Sequence, residues 1–210
     1  MLIVINFFLI NISISEKIWK LVTMNAKMKH LNFSEIIVLS PIKHKDKRGL
    51  FFENFNSKDF KKETGNFFNI FQENISFSKK NVLRGLHFQK GYHSQSKLIS
   101  VVRGKIFDVI VDIRENSHNF GKWTSYILDD SSHESLFIPS GFAHGFLSLD
   151  NNTMISYKVD KPYNKNSECS IIWNDDNILI DWPCNKPILS EKDQNALTFD
   201  DNYKLNKFKV

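Results

Sequence analysis

The sequence predicts an all-β fold, a double-sheet jelly roll or barrel carrying a few short helices. Three observations carry this. Over 105–114, Phe107, Val109, Val111 and Ile113 share one face while Asp108 and Asp112 share the other, the period-two pattern of a half-buried strand. Short runs rich in β-branched and aromatic residues recur at regular spacing along the chain, as in sandwiches and barrels. Helical signals are confined to two short stretches.

Taken in order, residues 1–14 look at first like a signal or anchor. They lack a basic leading region and a small-residue cleavage site, are interrupted by Asn6 and Asn11, and are too short to span a bilayer. Residues 1–23 are expected to be an extension, either upstream of the true start, at Met24 or Met28, or poorly ordered, with a single domain over 24–210. Strands are expected at 36–39, 50–55, 97–102, 105–114, 125–128, 135–138, 145–149, 154–158 and 170–173, with Arg103-Gly104 as the turn joining two of them. A short helix over 57–64 has Asn56 or Ser57 as its cap and Gly65 as its stop. Ser190-Glu-Lys-Asp193 opens a second with a capping-box pattern.

The chain has 210 residues, 41% of them hydrophobic, enough for one sizeable core. Its formal charge of +5 comes from lysines scattered singly and in pairs. No basic block with interleaved aromatics points to nucleic acid, and a mildly basic enzyme for a phosphorylated metabolite fits. Cys169 and Cys184 are too few for a disulfide framework or zinc site. A reducing, cytoplasmic setting is expected, with no membrane partner.

Two segments carry the chemistry: Leu83-Arg84-Gly85-Leu86-His87-Phe88-Gln89 and Ile138-Pro-Ser-Gly-Phe-Ala-His144-Gly-Phe146. A neutral imidazole is well matched to taking a proton near neutrality, although His87 alone would more often be a hydrogen-bonded wall residue. Arg84 lies three residues earlier, on the opposite face of a flat strand. Both side chains reach one pocket only if Gly85 introduces a bulge or twist. The turn Pro139-Ser-Gly141-Phe-Ala-His144 resembles the second metal motif of cupins. The first would need His-x-His and a following carboxylate, where this chain has His87-Phe88-Gln89 and none from Lys90 to Gln95. Two histidines and a glutamine make a poor metal site, so a cupin barrel without bound metal is expected. Lys97, Tyr157 and Asp193, each taken alone, would read as a solvated lysine, a packed aromatic and a capping carboxylate.

Together with Asp46-Lys-Arg48-Gly-Leu-Phe-Phe-Glu53, Gln72-Glu-Asn74, Phe107-Asp-Val-Ile-Val-Asp-Ile-Arg114, Phe120-Gly-Lys-Trp123, Tyr157-Lys158 and Leu189-Ser-Glu-Lys-Asp193, these motifs resemble the dTDP-4-dehydrorhamnose 3,5-epimerases. The resemblance runs from about Ser40 to Asp193. It implies a cupin jelly roll that needs no metal or other cofactor, works as a homodimer and inverts C3 and C5 of dTDP-4-keto-6-deoxyglucose. On it, His87 is the catalytic base, Asp193 its carboxylate partner and Tyr157 the acid on the opposite sugar face. Lys97 donates to the developing oxyanion, with His144 beside it. Arg48, Glu53, Gln72, Asn74, Arg84 and His144 are nucleotide-sugar contacts. Glu168 and Lys192 are contacts drawn partly from a second subunit, and Tyr163 stacks on thymine. The family usually has a second tyrosine before Tyr163, where this chain has Pro162. The rival readings are a one-carbon epimerase or 3,4-ketoisomerase on the same scaffold, separable by product analysis; a metal-dependent cupin, separable by metal analysis; and a sugar-binding cupin without turnover. Binding alone does not need a base and an acid together.

Overall fold

In the computed structural model, which describes residues 26–208, strands dominate; the expected extension at 1–23 lies outside those residues. One sheet has six strands in the order β1 (Ala26–His30), β2 (Ile37–Pro41), β10 (Ser135–Ile138), β7 (Lys97–Arg103), β12 (Thr153–Val159) and β5 (Gln72–Ser78). A second has five, β13 (Glu168–Ser170), β6 (Leu83–Gln89), β11 (Phe142–Ser148), β8 (Lys105–Asp112) and β9 (Trp123–Asp129). From β2 onward their ladders are antiparallel. This is the jelly-roll class that the sequence predicts.

The chain divides into two compact units, one holding 41–67 and the other 28–40 and 68–208. The smaller contains the hairpin of β3 (Lys43–Asp46) and β4 (Gly49–Phe52), followed by α1 (Ser57–Thr64). Asn56 caps α1 by accepting from the backbone of Lys58 and Asp59, and Gly65 ends it in the left-handed region, as the sequence indicates.

In the larger unit, alternate residues of both sheets interdigitate. Val38, Ile99, Leu136 and Ile155 of the six-stranded sheet pack with Ile106, Ile110, Leu128, Phe142 and Phe146 of the five-stranded one. The other face of the five-stranded sheet is also covered: Leu83, Leu86, Phe88, Val109 and Val111 lie under Ile171, Ile178, Trp182, Phe199 and Phe208. Burying each such side chain stabilises the fold by roughly 1.5–3 kcal/mol. In this segment α2 (Glu191–Gln194) and α3 (Phe199–Asn206) are short helices, capped by Ser190 and Thr198.

Two local expectations need correction. β8 is not half-buried: residues 171–208 roof the face carrying Val109 and Val111, and the opposite face, which Asp108 and Asp112 share with Ile106 and Ile110, turns into the barrel, so both aspartates are 0% exposed. Arg103-Gly104 turns the chain, with Gly104 at φ +86°, but joins no hairpin: β7 pairs with β10 and β12, whereas β8 pairs with β9 and β11. The turn is a corner between sheets. β1, β3, β5 and α3 were not foreseen at all.

Candidate active site

The site begins with a break in register. On β6 and β11, His87 faces His144 and Arg84 faces Phe146, so three steps on one strand match two on the other. The extra residue is at Gly85, whose φ is +127° and whose peptide bond to Leu86 is cis. The bulge resets the strand's parity. Leu83, Leu86 and Phe88 join the outer cluster, while Arg84 and His87 line one cavity inside the barrel. The sequence required this if both side chains were to serve one site. The cavity measures about 340 Å³, inside the roughly 300–1,000 Å³ typical of small-molecule sites.

His87 and Asp193 meet on its wall. Nε2 of His87 donates to Oδ1 of Asp193 at 2.6 Å, since an ionised carboxylate only accepts. That bond leaves Nδ1 as the basic atom of the ring. Burial pushes the Asp193 carboxyl up, but the bonds from His87 and Ser190 and the charges of His87 and Lys192 hold it below the usual carboxylate range. Asp193 sits in α2, where its backbone N–H donates to Oγ of Ser190 at 3.1 Å. The capping-box pattern is thus half fulfilled: the cap forms, and the side chain that would complete the box reaches His87 instead.

A second histidine–carboxylate pair has its imidazole on the cavity wall and its carboxylate behind it, with Nε2 of His144 2.9 Å from Oδ2 of Asp108. Burial pushes the Asp108 carboxyl up against the pull of His144 and Lys97, and its Oδ1 has no hydrogen-bond partner among the described residues. Lys97 donates to the carbonyl of His87 at 3.0 Å. Burial brings its ammonium down to about 8, opposed by the charges of Asp108 and Glu168. Asp108 is a site residue that sequence reasoning missed, because its alternation with apolar neighbours looked like a solvent-facing edge.

Tyr157 lines the same cavity. Its hydroxyl lies 2.9 Å from Oγ of Ser76. Burial pushes the phenol up to about 12, while the Ser76 bond and the Arg84 charge pull it down. Arg84 donates to Oγ of Ser78 and to the carbonyl of Phe77, each at 3.2 Å.

Asn74, His144, Tyr163, Glu168 and Lys192 also line the cavity. Lys192 meets Glu168 at 2.6 Å, and the Tyr163 hydroxyl donates to the other oxygen of Glu168 at 3.1 Å. Gln72 donates to Asn74 at 2.8 Å and accepts from the Tyr163 backbone N–H at 3.4 Å. Gln89, the residue in place of a metal-binding histidine, spends its amide on the chain. It donates to the carbonyls of His93 at 2.9 Å and Pro162 at 3.2 Å and accepts from Asn164 N–H at 2.6 Å, so it ties down the loop carrying Tyr163. Among the described residues no group of three or more His, Cys, Asp or Glu is placed to hold a metal ion. Arg48 and Glu53 belong to the other unit. There Arg48 forks onto Asp46, at 2.6 Å for the shortest bond, and Glu53 accepts from Asn56 at 3.3 Å.

A carboxylate-backed imidazole, a buried phenol and a lysine of lowered basicity around one cavity can remove a proton, hold an oxyanion and return a proton. The cationic groups Arg84, Lys97 and Lys192 suit an anionic substrate. Comparison with known proteins agrees with this chemistry. The family model described as dTDP-4-dehydrorhamnose 3,5-epimerase matches residues 30–201. The protein of that name from Escherichia coli K12 is 45% identical over 172 residues, 81% of this chain and 93% of its own length. The crystal structure of the Elizabethkingia anophelis NUHP1 protein of that name superposes with a TM-score of 0.81 at 43% identity, covering 85% of this chain and 98% of that one. A dTDP-6-deoxy-D-glucose-3,5-epimerase from Legionella pneumophila, solved with dTDP-4-keto-L-rhamnose, has a TM-score of 0.80 at 38% identity and covers 83% and 93% of the two chains.

Proposed function

The chain belongs to the dTDP-4-dehydrorhamnose 3,5-epimerase family, and from that premise we propose that it inverts C3 and C5 of dTDP-4-keto-6-deoxyglucose on the way to dTDP-rhamnose. The observation that carries this reading is that the His87–Asp193 pair, Lys97 and Tyr157 all line one cavity. The C4 ketone acidifies the hydrogens on C3 and C5. His87 takes one of them, and the resulting imidazolium stays beside the ionised Asp193. Lys97 donates to the enolate oxygen, a bond that strengthens as charge develops there. Tyr157 delivers a proton to the opposite face of the same carbon. The phenolate then regains a proton from solvent and the imidazolium loses one to it, which balances the cycle.

Arg84 suits the diphosphate, because a guanidinium binds phosphate oxygens in pairs. Asn74, Gln72, His144, Glu168 and Lys192 would hold the nucleotide-sugar, and Tyr163 would stack on the base. Pro162 leaves that stack to one aromatic. Cys169 and Cys184 are free thiols, which supports a cytoplasmic place of work, and among the described residues no helix is long and apolar enough to cross a membrane. A second copy is the partner we propose. Ile75 and Phe77 on the edge strand β5, and Phe71 just before it, are exposed apolar side chains, of the sort that marks an interface. Light scattering that reads a single 24.6 kDa chain would exclude the dimer.

Incubating the protein with dTDP-4-keto-6-deoxyglucose in deuterated water tests the whole reading. NMR should record deuterium entering at C3 and C5 together with inverted product. Inversion at one carbon only would make the protein a monoepimerase, and exchange at neither would refute the assignment. The Lys97 ammonium adds a pH prediction. It is present below about 8 and lost above, so kcat/KM should fall as pH rises through that value. A profile flat from about pH 7 to about pH 10 would remove Lys97 from the oxyanion role.

A further inference from the structure

Strand β5 is built inside out. Its outward residues Ile75 and Phe77 are apolar and exposed, while Gln72, Asn74, Ser76 and Ser78 share the opposite face by the period-two rule. That polar face serves the cavity. Ser78 accepts from Arg84, and Asn74 and Ser76 line the cavity themselves. Tyr157 is in register with Asn74, so Ser76 is its diagonal neighbour, close enough for the 2.9 Å contact between hydroxyls.

From this geometry we infer that Ser76 is a positioning residue for proton return: its hydroxyl donates to the Tyr157 oxygen and leaves the phenolic hydrogen free for the substrate carbon. The inference rests on the reading of Tyr157 as the acid. A serine hydroxyl can donate to the phenol or accept from it, and the two orientations have opposite consequences. If Tyr157 donated to Ser76, its proton would be turned away from the sugar. With Ser76 donating, the O–H bond of Tyr157 breaks toward carbon, the new C–H bond forms, and the electron pair stays on the phenolate oxygen. The Phe146 ring packs against Tyr157 at 6.2 Å between centroids, so this anion forms beside an apolar surface where charge is disfavoured. A hydrogen bond to an ion is roughly twice as strong as one to a neutral oxygen. The Ser76 bond therefore tightens as the proton leaves, which favours the transition state over the ground state. The Arg84 guanidinium, held by Ser78, adds positive charge to the same corner.

The test uses the intact protein with dTDP-4-keto-6-deoxyglucose in deuterated water and reads exchange and inversion separately. Ser76→Ala should keep deuterium exchange within about twofold, while inverted product falls by about tenfold to a hundredfold in kcat with little change in KM. Ser76→Thr keeps a hydroxyl and should restore most of the product rate. Equal loss of exchange and inversion in Ser76→Ala would overturn the inference, as would a normal product rate. Tyr157→Phe separates the two readings: it should exchange without inverting. Normal inversion in that variant would show that another group is the acid, and the inference would fall with its premise rather than by itself.

Discussion

Replacing His87 by alanine is expected to lower product formation by about 10² to 10⁴, the usual contribution of a positioned general base, and to abolish deuterium uptake at both carbons. Binding of dTDP should survive, because Arg84, Tyr163, Glu168 and Lys192 do not depend on the imidazole. The loss should exceed that from any other single change in the cavity, since His87 is the group proposed to break the C–H bonds. Asp193→Asn should lose less. An amide oxygen can still accept from Nε2 across the 2.6 Å contact, but it no longer offsets the imidazolium charge. It can also present its NH₂ group and select the wrong tautomer. The expected signature is therefore reduced kcat in both variants, with measurable residual exchange only in Asp193→Asn. Full exchange in His87→Ala would transfer the role of base to another residue.

How much of this was legible before the structure depends on which way a strand's polar face points. Strands rich in apolar and β-branched residues, such as β7, β10 and β12, stand out by composition. β5 does not, because its inward face is polar while Ile75 and Phe77 beside Glu73 are exposed on its outward face, the reverse of the ordinary pattern. β8 misled for a related reason: its aspartates suggested a solvent face, yet residues 171–208 cover one side and the barrel closes over the other. Asp112 is held there by Arg114 at 2.6 Å and Asp108 by His144 at 2.9 Å. The site was legible mainly through motifs. His87 and Asp193 are 106 residues apart, and no local period joins them; Asp193 in isolation reads as part of a capping box. The need for a bulge at Gly85, by contrast, followed from strand geometry alone, because Arg84 and His87 have opposite parity.

Gly85→Ala should be the most damaging change to the fold made by a single methyl group. A Cβ built there would lie 2.5 Å from the Cα of Gly145 and 2.8 Å from the carbonyl oxygen of His144. Both neighbours are backbone of the paired strand, so neither can turn aside as a side chain would. The φ of +127° is a second obstacle, because side chains disfavour that region. Overpacking of this kind costs about 1–3 kcal/mol and a strained backbone about 1–3 kcal/mol more. Gly145 meets the same constraint from the other side, with a Cβ falling 2.9 Å from the carbonyl oxygen of Arg84. The urea midpoint should therefore drop by an amount equivalent to about 2–6 kcal/mol, summing those two costs at unchanged slope. Folded protein that remains should be impaired in catalysis, because relief of the clash requires β6 to move away from β11. That movement displaces Arg84 and His87, the two side chains whose shared direction the bulge creates. A variant with an unchanged midpoint and full activity would mean that the close approach of the two glycines is not what aims the base into the cavity.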